Sequence, residues 1–156
     1  MKRQVTITIT ALAVAALAGR GGSPRHHHTV AAQAQASSAS PSCHDQAAAW
    51  RDSADTQMTA LIHALGKASK AGTDLGKAQA AATRLRTTAQ ALLSNLPPAC
   101  VTGARADFAT AMHDLIAAAD SIDQGTTTSL GNADQQINAG SAAFVRATKD
   151  LKVVLP

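Results

Sequence analysis

From Cys43 onward, apolar residues recur every three to four positions, the spacing that gathers them on one face of a helix. Four segments carry this pattern. The first, about 43–71, shows Ala47, Trp50, Ala54, Met58, Leu61, Leu65 and Ala68 in register, with Ser42 as the predicted N-cap and Gly72 beyond the end. The second, about 74–96, has the cleanest repeat: Leu75, Ala78, Ala82, Leu85, Ala89, Leu92, Leu96. Thr73 is its predicted cap, and Pro97-Pro98, which cannot continue a helix, its stop. The third, about 103–124, carries Ala104, Phe108, Ala111, Met112, Leu115, Ala119 and Ile122, and Gly125 follows it. The fourth, about 129–152, carries Leu130, Ala133, Ile137, Gly140, Phe144, Ala147 and Leu151. No stretch of this region reads as a strand, so the predicted class is all-α.

Four helices with three short connections predict an up-down-up-down bundle. The two cysteines fit that topology. Cys43 opens the first helix and Cys100 lies in the connection between the second and third, so both fall at one end. A disulfide between them is therefore predicted, as is usual for a cysteine pair in an exported chain. At ~1.5 Å rise per residue, Trp50, Phe108 and Phe144 sit roughly 8 to 12 Å from that same end. They are predicted to share one layer, faced by Ala89 and Leu92.

The N-terminal part reads differently. Lys2 and Arg3 precede an apolar run from Val5 to Ala18, too short for the roughly 20 residues of a membrane span and suited to a signal peptide. Leu17-Ala18-Gly19 resembles the end of a bacterial lipoprotein leader, but Arg20 stands where the lipidated cysteine belongs and has no thiol to acylate. Either the anchor has been lost, or the chain is cut at an ordinary small-x-small site: Ala16-Leu17-Ala18, Ala32-Gln33-Ala34 or Ala34-Gln35-Ala36. Both readings predict export, to the cell envelope or the medium, with membrane anchoring in doubt. Residues 21–42 are mainly Gly, Ser, Pro, Ala, Gln and His without apolar period and read as a flexible tether. The expected organisation is a leader over 1–20, a tether over 21–42 and a bundle domain over 43–156.

Charge narrows the functional classes. The whole chain is +4, yet from Cys43 onward it holds ten basic residues and ten aspartates, with no glutamate, so the domain is neutral. With only Trp50, Phe108 and Phe144 as aromatics, nucleic-acid binding has neither the net charge nor the stacking platforms it needs. Lys77, Arg84 and Arg86 are expected to form a basic face on the second helix, paired with Asp107, Asp114, Asp120 and Asp123 on the third. Such surface pairs contribute little in water.

Candidate chemistry is sparse. The aspartates sit off the apolar stripes, and no Glu-x-x-His pair exists to build a carboxylate di-metal centre. His63 and His113 fall at different heights, and His26, His27 and His28 form a short run in the tether that offers loose metal affinity at most. There is no Cys-x-x-Cys-His haem attachment site, no phosphate-binding glycine loop and no local nucleophile motif. Met58 and Met112 read as core filler rather than axial ligands. No metal or cofactor is expected, and no catalytic residue.

The alanine-rich composition, the use of Asp to the exclusion of Glu and the lipoprotein-like leader give the chain a family likeness. So do Leu96-Pro97-Pro98-Ala99-Cys100 and Ile137-Asn138-Ala139-Gly140-Ser141 with Phe144 and Ala147-Thr148. In these the chain resembles small exported, lipoprotein-like helical proteins of actinobacterial type. The resemblance implies an envelope-associated bundle and carries no catalytic residue across; Arg20 departs from its pattern where the lipid would attach. The expectation is a non-enzymatic module that binds a macromolecule, with an envelope or extracellular protein as partner. The alternative is a carrier holding a small apolar ligand near Trp50, Phe108 and Phe144.

Overall fold

Three of the four described helices begin where a side chain takes up the amide groups that a first turn leaves unpaired, and the third in chain order opens on Val101 without one. The computed structural model describes residues 40–71 and 73–155; the leader, most of the tether and Gly72 lie outside the described residues. Helix α1, Cys43–Lys70, opens on the predicted Ser42, whose Oγ accepts the Asp45 N–H at 3.2 Å while Asp45 Oδ2 accepts the Ser42 N–H at 3.3 Å. This reciprocal box holds the Asp45 carboxyl below its ordinary range, chiefly through the Ser42 hydroxyl. Helix α2, Leu75–Leu93, is capped by Asp74, not by the predicted Thr73; Asp74 Oδ1 accepts the Lys77 N–H at 3.0 Å. Helix α3, Thr102–Gln124, ends at Gly125 in the left-handed conformation (φ 66°), whose N–H closes on Ile122 O at 3.1 Å. Helix α4, Thr127–Val154, starts two residues earlier than its pattern predicts because Thr126 and Ser129 form a second capping box.

The four helices run in sequence, each packed on the next: α1 on α2, α2 on α3, α3 on α4, with a slighter contact between α1 and α4. The architecture is thus the predicted all-α bundle. Its core is built largely of alanine. Ala54, Ala82, Ala89, Ala111, Ala118 and Ala119 are fully buried, which brings helix axes close, while Leu61, Leu85, Leu92, Phe108, Met112 and Leu115 fill the space between. Helices α3 and α4 approach closely at Gly140, where a Cβ would lie 3.1 Å from the Ala111 carbonyl oxygen.

Two expectations for α2 need correction. Leu75 is 40% exposed rather than core, because the first residue of the helix lies at the end of the bundle, with its side chain toward Gly125. The helix also stops at Leu93, before Leu96. Pro97 disfavours helical backbone at the residue before it, and the carbonyl of Asn95 serves α1 instead of α2.

Candidate functional site

Two regions hold the side chains that set this domain apart from a uniform bundle. At one end lies the disulfide. Cys43, the first residue of α1, is bonded to Cys100 in the α2–α3 connection, with Cα atoms 5.8 Å apart, as the topology predicts. Above it the three aromatics share one layer. The Trp50 ring meets Phe108 edge-on with centroids 5.3 Å apart, and Phe108 meets Phe144 at 5.8 Å. Trp50 and Phe108 are buried and Phe144 is half-buried. The polar edge of the indole is also engaged, since Trp50 Nε1–H donates to Asn95 O at 2.7 Å. Asn95 Nδ2 in turn donates to Ser53 Oγ at 3.2 Å, and Ser53 Oγ donates to Trp50 O at 2.8 Å. Arg105 ties the same connection to α3 through Pro97 O. Residues placed as a candidate apolar pocket are thus brought together, ring against ring, with the indole clamped to the α2–α3 connection.

The second region lies toward the other end, on the α1–α2 face. Two adjoining grooves of about 330 Å³ and 350 Å³ run between these helices and share Lys67 and Arg84. Lys70 and Lys77 line the end nearest the α1–α2 connection, and His63 the other. Ala64, Ala71 and Ala81 form the floor. Lys77 Nζ lies 2.9 Å from Asp74 Oδ2, and this contact with the Lys77 ammonium and amide pulls the Asp74 carboxyl below its ordinary range. Lys67, Lys70 and Arg84 take part in no ion pair among the described residues, and no acidic side chain lines either groove.

The expected pairing of one basic α2 face with α3 therefore holds for Arg86 alone. Arg86 reaches Asp120 at 2.7 Å and Asp123, and the hydrogen bonds it donates, to Asp123 first and Asp120 second, hold its guanidinium more firmly charged. Asp107 pairs with Arg146 of α4 at 3.0 Å. Arg84 and Lys77 turn to the other side, toward α1. A signal for this was present in the chain: residues two apart on a helix point about 200° apart, whereas residues seven apart nearly align. His63, Lys67 and Lys70 likewise follow the i, i+4, i+7 spacing of a single face.

His44 and His113 are exposed and stand apart from the groove. Among the described residues no three His, Cys or Asp side chains gather in metal-binding geometry, and the His26–His28 run lies outside those residues. No described helix is long and apolar enough to cross a membrane. Compared with known proteins, the chain matches no family model, no curated protein and no solved structure.

Proposed function

We propose that this protein is an exported, non-enzymatic module that binds another macromolecule at the cell envelope or in the medium. The observation that carries the reading is the segregation of charge in a neutral domain. Four cations gather on one face of the α1–α2 pair, three of them without an acidic partner among the described residues, whereas three of the four α3 aspartates are paired with Arg86 or Arg146. Such a surface is a means of orienting and selecting a partner. The disulfide supports the exported setting, because such bonds persist in oxidising compartments. The leader-like segment before the domain supports it independently. The aromatic layer supports a structural role over the carrier alternative: a ligand entering beside Trp50 has to part rings already in contact and break the indole bond to Asn95.

Chemical cross-linking in the host, followed by purification of the chain from envelope and medium, tests this reading. The expected result is a reproducible macromolecular partner attached to an unlipidated chain. A chain recovered without partners, or from the cytoplasm alone, overturns it.

A further inference from the structure

We infer that the α1–α2 groove docks an extended acidic segment of a partner polypeptide, with Lys67 and Arg84 as its central contacts. The inference rests on the macromolecule-binding reading above and gives the partner its chemistry.

Charge argues first. Lys67 from α1 and Arg84 from α2 line both halves of the groove, so they face each other across it, with Lys70 beside them and Lys77 at the mouth. Asp74 compensates Lys77 and nothing described compensates the other three. Like charges held together on facing helices repel, and a ligand carrying carboxylates relieves that repulsion as it binds.

Shape argues next. From Ala60 to Lys70 the α1 wall is about 15 Å long, which an extended chain rising ~3.3 Å per residue spans with four or five residues. The floor offers only methyl groups from Ala64, Ala71 and Ala81, so a narrow backbone lies over it while its carboxylates reach a cation on either wall. Nucleic acid fits less well, because single strands draw affinity from stacking on exposed aromatics. Here Trp50 and Phe108 are buried, and Phe144 packs beside them in the layer near the disulfide. A membrane surface is met by cations flanked by protruding apolar side chains. These cations instead line a concave groove whose apolar part is its alanine floor.

The test uses the full oxidised chain and a short fluorescein-labelled peptide of alternating Asp and Ala, followed by fluorescence anisotropy. Saturable binding is expected. Lys67 and Arg84 are exposed, so the double variant K67E/R84E keeps its core, which thermal melting verifies. It is expected to lose at least about tenfold in affinity, whereas K149E/K152E, with the same charge change on the exposed face of α4, changes it by less than about twofold. Absence of saturable binding, or equal loss in both variants, overturns the inference. So does displacement of the peptide by oligothymidylate or by phosphatidylglycerol vesicles at matched charge, which assigns the groove to nucleic acid or membrane. Self-association abolished by K67E/R84E overturns it too, by making a second copy the occupant. Cross-linking in the host separates the two levels: equal partner recovery by the native chain and K67E/R84E sinks the groove assignment alone, whereas no partner from either sinks the macromolecule-binding reading itself.

Discussion

Glycine positions in α4 show how much a single Cβ decides in an alanine-built core. At Gly131, exposed in the first turns of α4, an added methyl meets nothing within 4 Å. The backbone entropy that glycine loses on folding is then the only term, so Gly131→Ala is expected to stabilise by about 0.5–1 kcal/mol. At Gly140 the same methyl stands 3.1 Å from Ala111 O and 3.2 Å from Asp114 Cβ and Leu115 Cγ, two of them rigidly held on α3. Separating the helices to admit it costs about 1–3 kcal/mol, more than the propensity gain, so Gly140→Ala is expected to destabilise by about 1 kcal/mol. Urea titrations of the two variants check the opposite signs. Equal stabilisation by both shows that α3 and α4 are not in contact at Gly140. This contrast was not legible in the chain, where Gly131 lies one position past an apolar residue and Gly140 continues the apolar stripe; pattern marks a face, but not the distance to the facing helix. Ala54, Ala82, Ala89, Leu61, Leu85 and Leu92 were legible because each repeats at helical spacing, whereas Ala64, Ala81, Ala118 and Ala143, just as buried, lie beside the single stripe and were not read as core. Leu75 obeys the same spacing and is nonetheless exposed, since a repeat extends no further than the partner that covers it.

Helix termini were readable to within a few residues, and the shortfalls have local causes. Thr73 and Asp74 are both good caps, and adjacent candidates differ only in which oxygen reaches the third amide; Asp74 does so at 3.0 Å and also meets the Lys77 ammonium. These contacts favour the ionised form and lower its pKa from an ordinary 3.8, with the Lys77 side-chain bond the leading cause. A carboxyl depressed by folding adds stability that is full above its unfolded-state pKa and disappears as pH falls through the folded one. Asp74→Asn keeps a capping oxygen but removes this charge. The native chain is therefore expected to melt higher than Asp74→Asn at neutral pH, with the difference shrinking on acidification below the ordinary carboxylate range. Melting temperatures of the two proteins across that range check it; a constant gap assigns Asp74 a purely neutral capping role. The groove belongs to the same scale. Its residues were visible as charges, but assigning Lys77, Arg84 and Arg86 to one face overlooked the turn between Arg84 and Arg86. The structure sends one to α1 and the other to Asp120 and Asp123.

For the whole molecule, the disulfide end acts as one clamp with three parts. Cys43 and Cys100 join α1 to the α2–α3 connection, the Trp50 indole bonds the same connection at Asn95, and Phe108 packs edge-on against the indole. A cross-link between positions 57 apart in sequence restricts the unfolded chain by about 4 kcal/mol in the chain-entropy account. A domain of this size has about 5–15 kcal/mol in total, so that share is large. C43S/C100S is accordingly expected to lose about 4 kcal/mol of unfolding free energy while keeping native Trp50 fluorescence and helical content. Both follow if the link acts mainly on the unfolded state and the clamp's other two parts hold the folded one. Urea unfolding of the variant and the native chain, monitored by circular dichroism and by Trp50 emission, measures the two effects separately. A loss near zero means that the unfolded chain without the bond already keeps these positions together through residual structure. A full loss with a shifted native emission means that the bond shapes the aromatic layer itself. The expected pattern, a folded but weakened domain, ties stability to an oxidising setting without making the fold depend on it. It thereby gives the exported reading a physical basis independent of the leader.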